Sequence, residues 1–142
     1  MFNLAGCATA PELNPLQRRV MEAKELEGTY DGAFKATITV LQDKSYIIKS
    51  SDYNAGLISA ESGRVNPDFW TGRSNRDQLT INIEKFTEDR VKMRISIFRN
   101  VFAYNGVPVR DATAGPVGDP KIYQDLYAEI QKEIFRRTQL NK

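Results

Sequence analysis

The sequence contains no histidine and only one cysteine among its 142 residues. The missing histidine excludes histidine-based catalytic triads and histidine-ligated metals, and a single cysteine excludes internal disulfides and cysteine-rich zinc sites. Because 20 Lys and Arg residues nearly balance 18 Asp and Glu residues, the net charge of +2 argues against a general polyanion-binding protein. No apolar run reaches the length of about 18 residues that a membrane-spanning helix needs.

What is present is the composition of an ordinary folded protein. Hydrophobic residues make up 41% and charged residues 27% of a chain long enough for one domain with one core. We expect residues 1–16 to form a lipobox remnant and flexible tether, since Pro11 and Pro15 disfavour helix. Residues 17–142 then form a single domain.

Hydrophobic periodicity predicts the elements of this domain. Helical spacing of apolar residues predicts one helix over Asp31–Gln42 and a second from Pro120 to about Thr138. Residues 17–27 suit a helix or a strand, and we assign a strand because the segment after them is the better helix. Further strands are predicted at 45–50, 56–61, 79–84 and 91–97, with irregular loops at 64–77 and 107–118.

The resulting order, β-α-β-β-β-β-α, predicts an α+β fold. In this fold an antiparallel sheet is covered on one face by two helices. The clearest signal is the strict alternation in 79–84 and 91–97, which Thr87–Arg90 join into a hairpin with one face towards water.

The lone cysteine stands close to the N-terminus, in Leu4-Ala5-Gly6-Cys7. This segment resembles the lipobox of bacterial lipoproteins, where signal peptidase cuts before a cysteine that carries a diacylglycerol thioether. The resemblance implies a lipid anchor on Cys7, and Ala8 implies sorting to the periplasmic face of the outer membrane. A secretory signal also requires basic and apolar residues ahead of the lipobox, so this interpretation expects them upstream of Met1. The alternative is a cytosolic protein with an unmodified thiol.

A second resemblance covers about residues 30–61. The segment Phe34–Ile48, followed by Asp52 and Gly56-Leu57-Ile58-Ser59-Ala60, is similar to small bacterial lipoproteins of unknown function. It is also distantly similar to a repeated domain in the C subunit of the outer-membrane β-barrel assembly machinery. These motifs are structural, and they imply a helix-grip-like fold rather than an activity. Ser45 stands where a glycine is usual, which weakens the case for a left-handed helix cap there.

The polar loop at 64–77 contains the best candidates for contacts with a partner, Phe69 and Trp70. Exposed tryptophan is enriched in binding hot spots, although a loop folded back onto the core would bury Trp70 instead. Arg73 and Arg76 belong to the same loop and could meet anionic groups. Solvated charges that prevent sheet aggregation explain them equally well.

Tyr123 and Tyr127 lie four residues apart on the predicted C-terminal helix. Between helix and sheet they could line a pocket for a small amphipathic ligand. A stripe with this spacing is more often part of the core, with the phenol groups at its rim.

The sequence contains no recognisable catalytic arrangement. Its acidic residues stand at turns or alternate outwards on strands, and no phosphate loop, nucleophile elbow or EF-hand is present. We therefore predict a non-enzymatic protein with no cofactor, no metal and no nucleic acid partner. It is expected to act through protein contacts in cell-envelope assembly or maintenance; the alternative is the small-ligand carrier.

Overall fold

A computed structural model describes residues 13–63, 72–103, 105–109 and 114–140. It confirms the predicted α+β class, with helices packed against an antiparallel sheet. In chain order the elements are α1 (Pro15–Glu22), β1 (Ala23–Glu27), α2 (Tyr30–Asp43), β2 (Ile47–Asp52), β3 (Leu57–Glu61), β4 (Ser74–Thr87), β5 (Arg90–Phe102), β6 (Pro108–Val109), β7 (Gly115–Pro116) and α3 (Pro120–Leu140).

The sheet is built around the predicted hairpin of β4 and β5. Its strand order is β1-β5-β4-β3-β2, and the two-residue strands β6 and β7 also pair with β5. All these pairs are antiparallel. In the hairpin, Ile81 pairs with Ile95, and both side chains are buried. Every second residue is therefore buried in the core over 79–83 of β4 and 91–97 of β5, as the alternation predicts.

The two long helices supply the other half of the core. In α2 the side chains of Phe34, Thr37 and Leu41 are buried on one face of the helix, and the Thr29 hydroxyl caps the helix by accepting from the Gly32 amide at 3.1 Å. In α3 the buried stripe consists of Tyr123, Leu126, Tyr127, Ile130 and Ile134. Both stripes and the inward residues of the sheet form one continuous hydrophobic cluster. The outward side chains of the sheet remain on the face opposite to the two long helices.

The strand predicted over 17–27 is wrong in its first half, because residues up to Glu22 form α1. A capping box starts this helix. The Asn14 side chain accepts from the Gln17 amide at 2.8 Å, and the Gln17 side chain accepts from the Asn14 amide at 3.1 Å. Pro15 occupies the first turn, where its missing amide hydrogen costs nothing, so it begins a helix instead of extending the tether.

Two predicted loops also contain strand residues. β4 begins at Ser74, inside the loop expected over 64–77, because Ser74 pairs with Phe102 at the far end of β5. β6 and β7 lie in the loop expected over 107–118. Their length of two residues each is too short to show any periodicity, so only the pairing with β5 reveals them.

Ser45 ends α2 in a left-handed conformation, with φ at 66°. Two backbone hydrogen bonds define a Schellman cap: the Ser45 amide donates to the Gln42 carbonyl and the Tyr46 amide to the Leu41 carbonyl, each at 2.9 Å. The cap doubted from the sequence is therefore present. Serine adopts it although its Cβ makes this conformation less favourable than it is for glycine.

Gly56, by contrast, is required by its surroundings in the β2–β3 turn. Its φ is +70°, and a Cβ at this position would stand 2.1 Å from the Ile83 carbonyl oxygen. The preceding turn is closed by Asp52, whose carboxylate accepts from the Ala55 amide at 3.0 Å. The predicted aspartate turn and the following glycine thus serve the close approach of this turn to β4.

None of the helices in the described residues has both the length and the apolar character needed to cross a bilayer.

Replacing Ser45 with glycine should stabilise the protein. We expect Ser45→Gly to raise the free energy of unfolding by about 0.5–1 kcal/mol, because it removes the left-handed penalty at the cap. Urea denaturation of both proteins measures the difference. The control is Ser51→Gly, which lies in extended backbone of β2 and should lower stability slightly. A loss of stability in Ser45→Gly would contradict this account of the cap.

Candidate functional site

The structure describes four of the predicted site residues, Arg73, Arg76, Tyr123 and Tyr127. Cys7, Phe69 and Trp70 lie outside the described residues, so the lipidation and contact-loop assignments stay predictions. Arg73 is exposed, just before the start of β4. Arg76 is partly buried within β4.

Arg76 is held by its neighbours on the sheet. Its guanidinium lies 5.7 Å from the Phe102 ring centroid and 3.9 Å from a carboxylate oxygen of Glu61. Glu61 in turn pairs across the strands with Gln78, on the face away from α2 and α3. Arg76 is therefore a bound component of this sheet surface rather than a freely mobile cation.

Tyr123 and Tyr127 are placed in the core, with 0% and 2% of their surface exposed. The Tyr123 hydroxyl donates to the Val117 carbonyl at 2.7 Å, and the Tyr127 hydroxyl donates to the Glu22 carbonyl. Both phenol groups thus satisfy backbone carbonyls at the ends of neighbouring segments. These contacts correspond to the core interpretation of the tyrosine pair.

A trough lies instead on the opposite side of the sheet, which we call the outer face. The outer face consists of the outward side chains of β1 to β5. The trough has a volume of about 660 Å³. It is lined by Ala23, Lys24, Glu25, Leu57, Thr80, Asn82, Glu84, Lys92, Met93, Arg94 and Ser96.

Strand pairing explains the shape of the trough. One row of cross-strand neighbours runs from Leu57 through Asn82 and Arg94 to Ala23. In the next row Thr80 pairs with Ser96. Thr80, Asn82 and Ser96 contribute short side chains to these rows, and Leu57 and Arg94 contribute longer ones beside them.

Glu22 fixes one wall of the trough. It is the last residue of α1 and is only 4% exposed. Its carboxylate accepts from the Arg94 guanidinium at 3.3 Å and from the Ser96 hydroxyl at 3.2 Å. These charge-assisted bonds satisfy the buried carboxylate and hold the side chains of Arg94 and Ser96 in place.

Around Glu61, in a second part of the outer face, the polar and charged side chains already bind one another. The Gln78 side chain donates to Glu61 at 3.2 Å, and the ammonium group of Lys49 lies 3.4 Å from the same carboxylate. This hydrogen bond, with the nearby Lys49 and Arg76 cations, holds the pKa of Glu61 below its usual value. The surface around Glu61 therefore has little unused capacity for polar contacts.

The trough differs in this respect. Within the described ranges, the side chains of Thr80, Asn82 and Glu84 make no hydrogen bond or ion pair with another residue. Lys92 has an aromatic partner only, its ammonium lying 4.3 Å from the Phe86 ring centroid. These hydrogen-bond donors and acceptors in the trough are therefore available to an external partner.

Four large apolar side chains stand on the outer face around the trough. Leu57, Phe98, Ile47 and Phe86 are between 43% and 58% exposed. A solvated sheet face normally carries polar residues, so this set departs from the expected pattern. Its members are spread over β2, β3, β4 and β5.

The two long edges of the sheet are protected. At β1, the Gln131 side chain accepts from the Glu27 amide at 2.9 Å and donates to the Glu27 carbonyl at 2.8 Å, in the manner of a neighbouring strand. At β2, the pairing register shifts between Ile48 and Ser50, and Lys49 lies at this irregularity. Bulges and edge lysines both discourage the addition of another strand.

Comparison with known proteins finds neither a protein-family model nor a curated protein that matches the chain. In the parts of the chain that the structure describes, no three His, Cys, Asp or Glu side chains group together as metal ligands would. The chemistry of the site therefore has to be argued from its own residues, and these offer hydrogen bonding, charge and apolar contact.

The buried tyrosines make stability sensitive to alkaline pH. Burial raises the pKa of Tyr123 to about 12 and also raises the pKa of Tyr127, whereas tyrosine in an unfolded chain titrates near pH 10. Above pH ~10 the unfolded chain loses protons that the folded protein retains, so stability falls as pH rises towards ~12. We expect the free energy of unfolding, measured in urea, to be level between about pH 7 and 9 and to decline above pH ~10.

Tyr123→Phe tests the assignment. It should flatten this alkaline decline while lowering stability at pH 7 by about 1 kcal/mol, because the Val117 carbonyl loses its donor. Tyr53→Phe alters a half-exposed phenol and serves as the control. An unchanged alkaline slope in Tyr123→Phe would show that this phenol does not contribute.

Proposed function

We propose that the chain is a lipid-anchored periplasmic domain that binds another envelope protein through the outer face of its sheet, without catalysis. The observation that supports this best is the combination, on one face, of exposed Leu57 and Phe98 with a trough in which Thr80, Asn82 and Glu84 bind no other described side chain. Apolar side chains set among polar and charged ones are the usual composition of a protein–protein interface.

The apolar part of the proposed interface consists of aromatic rings and aliphatic side chains that are exposed to water. Monomeric proteins rarely expose large contiguous apolar patches, and those that do commonly use them for binding. Removal of Leu57 and Phe98 from water would favour association, since burial of apolar surface contributes about 25 cal/mol per Å².

The polar part of the proposed interface consists of side chains that line the trough. Thr80 and Asn82 offer hydroxyl and amide groups, while Glu84 and Lys92 provide one charge of each sign. Such groups can pair with backbone and side chains of a protein partner, and the mixed charge favours a specific orientation over general attraction.

The mode of binding is contact with the sheet face rather than addition of a strand. The Gln131 amide occupies the free edge of β1, and the register shift with Lys49 interrupts the free edge of β2. A partner that recognises this protein therefore gains little from backbone pairing and much from the outward side chains.

The predicted contact loop is consistent with the same surface. Arg76 already belongs to the outer face through its approach to Glu61. Phe69 and Trp70 precede β4, the strand that carries Thr80 and Asn82. We therefore include Phe69, Trp70, Arg73 and Arg76 in the proposed contact region.

The carrier function remains the second candidate, with one observation in its favour. The trough volume of about 660 Å³ falls within the range of small-molecule sites. The buried positions of Tyr123 and Tyr127 offer such a ligand no space between helix and sheet. A small amphipathic ligand would therefore bind on the outer face.

The anchor is tested first. We expect mass spectrometry of the protein from its native host to find acyl chains on Cys7, and Cys7→Ser to move the protein from the membrane fraction to the soluble periplasmic fraction. The physical reason is that acyl chains contribute about 0.8 kcal/mol of membrane binding for each buried CH₂ group. An unmodified Cys7 thiol in the host protein would disprove the anchor.

The contact surface is tested by site-specific photo-crosslinking in the host, with the photoreactive residue at position 80. We expect one dominant adduct with an envelope protein, and Leu57→Ser with Phe98→Ser should weaken binding of that purified partner by about tenfold or more. Both changes affect exposed side chains, so the free energy of unfolding should stay within about 0.5 kcal/mol.

The matched control is Phe135→Ser, which removes a ring of similar exposure from α3. It should leave the affinity unchanged. Equal loss in the control and the outer-face variants would contradict the proposed surface. Failure to crosslink, combined with tight binding of a small amphipathic ligand in the trough, would favour the carrier.

A further inference from the structure

We propose that α1 rests on an anionic bilayer through a ridge formed by Leu16, Arg19 and Val20, and that this contact orients the domain on the membrane. The inference deepens the proposed function and relies on the Cys7 anchor for its biological setting. It concerns a surface distinct from the outer face of the sheet.

The ridge is apolar where a short surface helix would normally be polar. Leu16 is 72% exposed and Val20 is 78% exposed. Their spacing of four residues places them on the same side of α1. Arg19, also exposed, stands three residues after Leu16 and therefore lies on the adjoining part of the helix surface.

The charge of α1 complements an anionic surface. Its basic residues are Arg18 and Arg19, and its single acidic residue is Glu22. Because the Glu22 carboxylate is buried against Arg94, it does not repel an approaching negative surface. Aliphatic side chains beside arginines are the combination by which amphipathic helices bind the interface of anionic bilayers.

The helix is also held firmly enough to transmit an orientation. Its first turn is closed by the capping box of Asn14 and Gln17. Its last residue is tied to the domain twice: the Glu22 carbonyl accepts from the Tyr127 hydroxyl, and the Glu22 carboxylate binds Arg94. A surface bound to the ridge therefore positions the whole domain and not a loose segment.

Because the chain between Cys7 and α1 is short, a weak contact between α1 and the bilayer is enough to orient the domain. Cys7 precedes Pro15 by eight residues, a contour length of at most about 28 Å. An acyl group on Cys7 would thus keep α1 close to the headgroups at an effective concentration of order millimolar. The two aliphatic side chains and Arg19, which would bind vesicles poorly when free in solution, can act under this restraint.

The experiment uses the full chain coupled through Cys7, its only cysteine, to a maleimide-bearing phospholipid in vesicles. Amide hydrogen exchange is followed by mass spectrometry on peptides that cover α1. On equimolar phosphatidylglycerol and phosphatidylcholine, we expect exchange in α1 to be slower by about fivefold or more than on phosphatidylcholine alone, the effect of roughly one arginine at an anionic surface.

Leu16→Ser combined with Val20→Ser should abolish this protection. The matched control is Leu140→Ser, an aliphatic residue of similar exposure near the end of α3, which should retain it. Equal exchange of α1 on both kinds of vesicle, or protection that survives the double substitution, would overturn the inference.

This test is independent of the proposed anchor. The maleimide lipid supplies the attachment whether or not the host acylates Cys7. An unmodified host thiol would therefore refute the lipid anchor, while loss of the anionic-lipid effect would refute only the role of α1.

Discussion

The alternation of side chains in the β4–β5 hairpin is the constraint on which the structure depends. Because residues such as Ile81 and Ile95 must face the core, their neighbours Thr80, Asn82 and Ser96 must face the other way. Both long helices are used to cover the apolar side. Neither of the two long helices therefore covers the outer face, and its side chains are available to a partner.

Several backbone groups at the edges and ends of elements are satisfied by single side chains. Gln131 closes the edge of β1, and the Tyr123 and Tyr127 hydroxyls bond carbonyls at the ends of other segments. Groups left unpaired in a dry interior would be costly, so such bonds help to specify one arrangement. In contrast, the side chains of Thr80, Asn82 and Glu84 in the trough bind no other side chain among the described residues.

Glu22 connects the two surfaces to which we assign roles. It ends α1, whose ridge we propose to lie on the membrane, and its carboxylate holds Arg94 and Ser96 at the trough. Membrane orientation and partner binding would then be linked through the ion pair between the buried Glu22 carboxylate and the half-exposed Arg94. An anchored domain with this linkage presents its outer face in a defined direction.

Local patterns in the sequence determined the hairpin, the apolar face of α2 and the long α3 helix, because periodicity acts between near neighbours. Periodicity did not predict α1, although the pair Asn14 and Gln17 has the spacing of a capping box and is itself a signal for the start of a helix. It also predicted Phe69 and Trp70 as a contact site, which stays a prediction. Tertiary structure alone decided that the tyrosine pair is enclosed and that Leu57, Asn82 and Arg94 stand in one row. Each of these depends on residues distant in the chain, whose pairing and burial no short stretch of sequence encodes.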